Sequence, residues 1–210
     1  LSKKHHLDNV QRRVCNLLGN TQSYYGRYGI ALDFYHQSLR IAQHLDMKGS
    51  IAAILNNIAT LYEAFNMGEQ AVKYYISAQT AAKSEHNYKL AIMITHNIIN
   101  HYFAKRNVEM VRQQLETMGE LLIHKSDVSE YNALFLINSS RYLYLQEAYE
   151  AALKSSDEAW AIFETVDDAI GIRECQMMNG RIYDAIGEVE KAYEIATELA
   201  VSSEEIGDFD

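Results

Sequence analysis

Asparagine side chains recur at matched positions in the first half of this chain. Asn57 lies five residues before Tyr62, and Asn97 lies five residues before Tyr102. An Asn amide carries both a hydrogen-bond donor and an acceptor, so a ladder of such amides can pair with the backbone of an extended peptide. These residue types and spacings therefore predict a binding surface rather than a catalytic centre.

The residues that catalysis or metal binding would need do not form a recognisable motif. His96 and His101 are five apart, whereas a spacing of three or four would place two imidazoles on one helix face. Asp167 and Asp168 fall at a predicted helix start, where the helix macrodipole stabilises carboxylates without a catalytic role. Gly-rich phosphate loops and the G-x-S-x-G and H-E-x-x-H motifs are absent from the sequence. We therefore expect no enzymatic activity, no metal site and no cofactor.

The chain repeats itself with a period of about 40 residues. Within residues 50–89 one apolar helical stripe runs into a turn predicted at residues 66–68, and a second stripe follows, so the two helices should pack as an antiparallel hairpin. A small or β-branched residue begins the second stripe of each copy, with successive spacings of 40, 40, 41 and 40: Ala31, Ala71, Val111, Ala152 and Ala192. Because one hairpin leaves apolar surface exposed on both sides, each copy needs a neighbouring copy to cover it.

The repeated positions resemble the signature of the tetratricopeptide repeat (TPR) family. The best matches are Gly180, Tyr183, Gly187 and Ala192 in the fifth copy, and Leu18, Gly19, Gly26, Tyr28, Ala31 and Tyr35 in the first. The resemblance covers about residues 8–206 and implies an all-α, right-handed superhelical solenoid of about five antiparallel helix hairpins. Two departures are the longer period, since 34 is usual, and the absence of proline. This longer variant is similar to repeats of MalT-like activators, peptide-pheromone receptors, other bacterial signalling proteins and kinesin light chains.

Peptide-binding proteins that this chain resembles use Asn and basic residues on the first helix of each hairpin. The resemblance implies contacts at Asn16, Asn20, Asn57, Asn97, Asn100, Asn138, Arg141 and Arg181, of which Asn57, Asn97 and Asn100 are the leading candidates. The position of Asn138 depends on where the fourth copy carries its extra residue. An insertion before the first helix keeps Asn138 in register, whereas one in the turn rotates it by about 100°. The alternative interpretation of the whole set is that polar residues simply line a solvated concave surface.

A single repeat domain is predicted over residues 1–210, with repeats near 8–47, 48–87, 88–126, 127–167 and 168–206. Ten helices are expected near 8–25, 28–44, 48–66, 68–85, 88–106, 108–124, 127–146, 148–164, 168–186 and 188–205. Asp127 and Glu130 fit a capping box that opens the fourth hairpin. Because the chain begins with Leu and shows no capping helix at its end, we expect it to be part of a longer protein.

Composition excludes several partner classes. The net charge of -9 and the lack of long Lys/Arg runs argue against direct nucleic-acid binding, and no apolar run is long enough for a membrane span. Cys15 and Cys175 are predicted to be unpaired core residues, which fits a reducing, cytoplasmic location.

The expected function is a non-enzymatic module that binds a protein or peptide in its concave groove, as the sensory or scaffolding region of a larger bacterial signalling protein. Arg13, Lys105, Arg141 and Arg181 would favour an acidic ligand. Two alternatives remain open at this point: a receptor for a short signalling peptide, and a self-association module that forms a homodimer and so dimerises an attached output domain.

Overall fold

A computed structural model describes residues 2–124 and 129–207 of the 210-residue chain. Within these residues there are ten α-helices in chain order. They are α1 (Ser2–Tyr24), α2 (Tyr28–His44), α3 (Lys48–Ala64), α4 (Gly68–Ser84), α5 (Tyr88–Ala104), α6 (Val108–Ile123), α7 (Ser129–Leu145), α8 (Tyr149–Thr165), α9 (Ala169–Ala185) and α10 (Val189–Gly207). Each matches a predicted helix to within a few residues, except that α1 begins six residues earlier than expected. Asp127, half of the predicted capping box, lies outside the described residues.

Most helices are joined by the same three-residue turn. In the turn after α2, for example, Asp46 adopts a left-handed conformation with φ of 51°, and the N–H of Met47 donates to the carbonyl of Ala42 at 2.9 Å. A left-handed residue enclosed by such a 6→1 backbone hydrogen bond is a Schellman motif, which satisfies carbonyls left free at a helix end. The left-handed residues are Gly26, Asp46, Asn66, His86, Arg106, Glu147, Asp167 and Gly187.

This turn explains two departures from the usual repeat. It stops each helix through backbone geometry, so that no proline is needed to end the helix. Two 17-residue helices, each followed by a three-residue turn, also account for the 40-residue period. Gly68, which the sequence places both in the turn at 66–68 and at the start of a helix, begins α4 as the helix prediction has it, and the left-handed turn residue is Asn66.

The described residues group into two compact units, residues 1–101 and 102–210. In the first unit the core lies between consecutive hairpins. Tyr35 and Leu39 of α2 pack with Ile54, Ile58 and Leu61 of α3, and all five side chains are buried. The burial of these apolar residues stabilises the hairpin stack, since each helix alone would expose them to water.

The second unit has its own core. Its largest fully buried side chains include Met118, Ile137, Phe163 and Ile182, contributed by α6, α7, α8 and α9 respectively. Both cysteines, one in each unit, are free and buried, as predicted. The all-α repeat architecture predicted from the sequence is confirmed. None of the helices in the described part of the chain combines the length and hydropathy that a membrane crossing requires.

Candidate functional site

Asparagine amides connect the first helices of successive hairpins in the first unit. The Nδ2 of Asn57 on α3 donates to the Oδ1 of Asn20 on α1 at 3.3 Å. The Nδ2 of Asn97 on α5 donates in the same way to the Oδ1 of Asn56 on α3 at 3.0 Å. The predicted amides therefore meet one another from neighbouring helices. We call the surface formed by these side chains on α1, α3 and α5 the amide face.

Each of these contacts leaves part of an amide available. Within the described residues, the Oδ1 atoms of Asn57 and Asn97 accept no hydrogen bond from the protein, and the Nδ2 of Asn20 donates none. Asn20 is exposed, and Asn57 and Asn97 are partly exposed. The amide face thus presents two acceptors and one donor in fixed orientations, which is the combination that a peptide backbone requires.

Two buried tyrosines form hydrogen bonds with polar side chains of α1 and α3. The hydroxyl of Tyr35 donates to the Oδ1 of Asn20 at 2.8 Å, and the hydroxyl of Tyr75 lies 3.3 Å from the Oγ1 of Thr60. Burial raises the pKa of both phenols, so each hydroxyl remains protonated at neutral pH. Gly19 makes the first contact possible, because a Cβ at that position would lie 2.5 Å from the Cε1 of Tyr35.

The third copy is arranged differently. Leu115 replaces the tyrosine that would reach Asn100, and the Nδ2 of Asn100 instead lies 3.0 Å from the Nε2 of His96 on its own helix. Next to this pair, the Nδ1 of His101 lies 2.6 Å from the Oε1 of Glu63. His96 therefore contacts a residue of its own helix, and His101 links α5 to α3. Neither histidine has the spacing of a metal site.

The α1 end of the amide face lies beside two arginines. A cavity of about 400 Å³ is lined by Val10, Arg12, Arg13, Val14, Asn16, Leu17 and Asn20. Burial, followed by the neighbouring charge of Arg13, lowers the pKa of the Arg12 guanidinium. The buried Oδ1 of Asn16 accepts no hydrogen bond from the described residues. This end of the face therefore combines positive charge with an unused amide acceptor.

The predicted residues of the fourth copy lie in a closed network instead. Asn138 is fully buried, and its Oδ1 accepts a 2.8 Å hydrogen bond from the Nη1 of Arg141. The Nη2 of Arg141 in turn donates to the Oε2 of Glu174 on α9 at 3.1 Å. A ligand would have to displace Glu174 to reach this guanidinium. Asn138 and Arg141 connect α7 to α9 rather than presenting free polar groups.

The register of the fourth copy follows from the helix bounds. α7 ends 41 residues after α5, and α8 begins 41 residues after α6, so the extra residue precedes the matched part of α7 and Asn138 matches Asn97. The alternative, an insertion in the turn, is wrong. In the fifth copy, Arg181 is exposed, and its guanidinium carbon lies 5.4 Å from the centre of the Phe103 ring. This cation–π contact positions Arg181 within the second unit.

Comparison with solved structures identifies the fold. No family model and no curated protein sequence matches the chain. The structure of BtubC from P. vanneervenii aligns with a TM-score of 0.66 at 16% identity, covering 97% of this chain and 84% of that protein. A Rap protein complexed with competence and sporulation factor aligns with a TM-score of 0.72 at 17% identity, covering 94% of this chain. The TPR-like repeats of a Podosopora anserina putative kinesin light chain align at 0.61, with 16% identity over 93% of this chain and 96% of that one. The chain has a TPR-like repeat fold. It spans only 55% of the Rap protein chain.

Within this TPR-like fold, sequence reasoning missed the residues that hold the amide face in place. Tyr35 and Tyr75 each bond a polar residue 15 positions earlier in the chain, a role that the repeat signature does not indicate. That constant spacing is a signal available in the sequence, because Asn20 and Thr60 occupy the same repeat position. The contact between His101 and Glu63 carries no comparable signal, since it joins two copies through unrelated positions.

Proposed function

We propose that this chain is a non-enzymatic protein- or peptide-binding module whose ligand binds on the amide face. The observation that carries the proposal is the pair of interhelical amide contacts, Asn20 with Asn57 and Asn56 with Asn97. These contacts fix the side chains, and their remaining acceptors and donor stay accessible. Fixed polar groups lose little conformational entropy on binding, which favours recognition over simple solvation of the surface.

The charge of the first unit supports an acidic ligand. Residues 1–101 contain ten Lys or Arg and six Asp or Glu, whereas residues 102–210 contain nine and 22. Of the two acidic residues on α1, α3 and α5 within the first unit, Glu63 is already paired with His101. Arg12 and Arg13 would attract a ligand carboxylate to the α1 end of the amide face.

We infer further that the module serves as a sensory or scaffolding region of a larger, cytoplasmic, bacterial signalling protein. The similarity to a Rap protein supports this context, because that protein was solved in complex with competence and sporulation factor and has a fold of the same kind. Ligand binding would favour one arrangement of the packed hairpins over another and so alter an attached output domain. The prediction that the whole chain forms one repeat domain is retained as part of this proposal.

Display of random dodecapeptides on phage, panned against the wild-type chain, provides a direct test. A selected peptide is synthesised and titrated by fluorescence polarisation into the wild type and into the Asn57→Ala/Asn97→Ala variant. Each lost hydrogen bond is worth about 0.5–1.5 kcal/mol, so we expect the double variant to bind roughly 5–150-fold more weakly. Asn132→Ala is the matched control, since Asn132 is an exposed helical Asn of the second unit.

Equal affinities for the wild type and the double variant would contradict the proposal. A loss that appears equally in the Asn132→Ala control would show that the peptide does not distinguish the amide face. Circular dichroism of each variant separates a loss of binding from a loss of folding. A charge-reversed peptide tests the electrostatic part, because exchanging its acidic residues for lysine should weaken binding to the wild type.

We also retain self-association as a second candidate function. The specific observation in its favour is that α1 and α10 each expose apolar side chains along one face, including Val14 and Tyr193. A receptor for a short signalling peptide is the narrower form of the first proposal, and the same titrations apply to it.

A further inference from the structure

The amide face presents its two free acceptors at the interval of one repeat. Asn57 on α3 and Asn97 on α5 hold the same position in consecutive repeats, and the Oδ1 of each accepts no hydrogen bond from the described residues. The two helices are neighbours, since the Nδ2 of Asn97 donates to the Oδ1 of Asn56 at 3.0 Å. Packed neighbouring helices lie about 8–10 Å apart, so the two free oxygens are separated by about this distance.

This interval distinguishes between the regular conformations that a bound segment can adopt. An extended strand turns its N–H groups towards one edge at every second residue, which repeats every ~6.8 Å. An α-helix has already used its N–H groups in internal hydrogen bonds. A polyproline II helix has three residues per turn and no internal hydrogen bonds, so its free N–H groups recur on one side about every 9.3 Å. Of these three conformations, only polyproline II matches the interval of the two acceptors.

The acceptors also determine which residues such a segment must contain. An Asn Oδ1 needs an N–H donor, and proline has none. The two residues that face Asn57 and Asn97 are therefore not proline, whereas the two residues between them are free to be proline. Proline at those positions restricts both itself and the preceding residue to extended conformations, so less conformational entropy is lost on binding. The free Nδ2 of Asn20 needs only a carbonyl, which proline retains.

An apolar residue lies one helical turn before each acceptor. Ala53 precedes Asn57 by four residues, and Met93 precedes Asn97 by four, so each lies on the same helix face as its Asn. Ala53 is partly exposed, and Met93 is exposed to 53% of its surface. The surface beside the two acceptors is therefore apolar and accessible, and prolyl rings that flank the donating N–H groups can pack on it.

We propose that the ligand of the amide face is an acidic segment in the polyproline II conformation with the pattern X-Pro-Pro-X, where X is not proline. The proposal rests on the function proposed above, because it describes the ligand of the same surface. The N–H groups of the two X residues donate to the Oδ1 atoms of Asn57 and Asn97, and the prolyl rings contact Ala53 and Met93. The excess of Lys and Arg over Asp and Glu in residues 1–101 favours Asp or Glu at X.

Two synthetic dodecapeptides of identical composition test the spacing. The phased peptide is (Glu-Pro-Pro)4. The unphased peptide is Glu-Glu-Pro-Pro-Pro-Glu-Glu-Pro-Pro-Pro-Pro-Pro, in which no two Glu residues are three positions apart. Both carry an N-terminal fluorescein and a C-terminal amide, and they share the same charge and proline content. Only the phased peptide can donate to both acceptors at once. In fluorescence polarisation we expect it to bind the wild-type chain about 2–10-fold more tightly, the effect of one hydrogen bond.

Variants of the chain connect this preference to the named residues. In Asn57→Ala/Asn97→Ala the phased peptide should lose its advantage, so that the two peptides bind equally. Met93→Gln removes apolar contact and should weaken binding of the phased peptide roughly fivefold. The matched control is Met177→Gln, since Met177 is a helical Met of the second unit with a similar exposure of 47%, and it should bind like the wild type. An equal loss in the two Met variants would contradict the contact with Met93.

The outcomes separate the polyproline II ligand from the proposed function. Equal affinities of the two peptides for the wild type would overturn the polyproline II ligand. Failure of the phased peptide to bind, at concentrations where the display-selected peptide saturates the chain, would also overturn it. A phased advantage that persists in Asn57→Ala/Asn97→Ala would do the same, because the preference would then arise elsewhere. The proposed function fails separately, if the display-selected peptide binds this double variant as tightly as the wild type.

Discussion

Replacement of Gly19 by alanine should destabilise the chain, although alanine is the better helix former. Gly19 lies within α1, where the exchange alone would add up to about 1 kcal/mol of stability. Its new Cβ, however, would lie 2.5 and 2.6 Å from two ring carbons of Tyr35, whose side chain is only 3% exposed. Overpacking of this kind costs about 1–3 kcal/mol.

The displaced ring also loses a hydrogen bond. The hydroxyl of Tyr35 would move away from the Oδ1 of Asn20, at a further cost of about 0.5–1.5 kcal/mol. The net expectation for Gly19→Ala is therefore a loss of about 1–3 kcal/mol in the free energy of unfolding. Urea denaturation followed by circular dichroism measures it.

A glycine without neighbours provides the control. Gly49 lies in the first turn of α3, and a Cβ there would meet nothing within 4 Å, so Gly49→Ala should leave the free energy of unfolding unchanged or raise it slightly. A double-mutant cycle with Tyr35→Ala should show that the cost of Gly19→Ala disappears once the ring is absent. If Gly19→Ala stabilises the chain as much as Gly49→Ala does, the packing argument fails.

Three further predictions concern the second unit and the helix ends. Glu174→Ala leaves Arg141 buried without its carboxylate and should cost about 3–5 kcal/mol in a denaturant titration; a loss below about 1 kcal/mol would mean that the network is not coupled. Burial raises the pKa of the Cys175 thiol to about 12, so a thiol reagent at about pH 8 should label Cys175 only after unfolding, and rapid labelling of the folded chain would contradict its burial. Asp168→Ala removes a side chain that accepts hydrogen bonds from Ile170 and Gly171 at 3.1 Å and should lower the free energy of unfolding by about 1 kcal/mol, whereas an unchanged denaturation midpoint would exclude a capping role.

The fold was predictable because a single period is repeated through the chain. Small residues such as Ala31 and Ala71 mark the second helix of each hairpin, and their 40-residue spacing sets the helix bounds to within a few residues. The residues that adopt the left-handed turn conformation were harder to predict from the sequence. Only Gly26 and Gly187 are glycines among the left-handed turn residues, and Asn66 rather than Gly68 takes this conformation in the second hairpin.

The candidate site was predictable only in part. The sequence places Asn57 and Asn97 at one repeat position, and the structure brings both into contact with amides of a neighbouring helix. The sequence does not reveal that Asn138, in the same register, is buried and bonded to Arg141, which in turn bonds Glu174. Burial at that position depends on which side chains the adjacent helix supplies. A repeat pattern identifies the position within the repeat but not the side chains that surround it.

The amide face can be tested most directly by observing its side chains. In a ¹H–¹⁵N correlation spectrum of the wild-type chain titrated with the display-selected peptide, the side-chain NH₂ signals of Asn20, Asn57 and Asn97 should shift in a saturable manner. The NH₂ signal of the buried Asn138 should remain in place. Saturable binding that leaves all three amides unshifted, or that shifts only signals of residues 102–210, would contradict the assignment of this surface as the binding site.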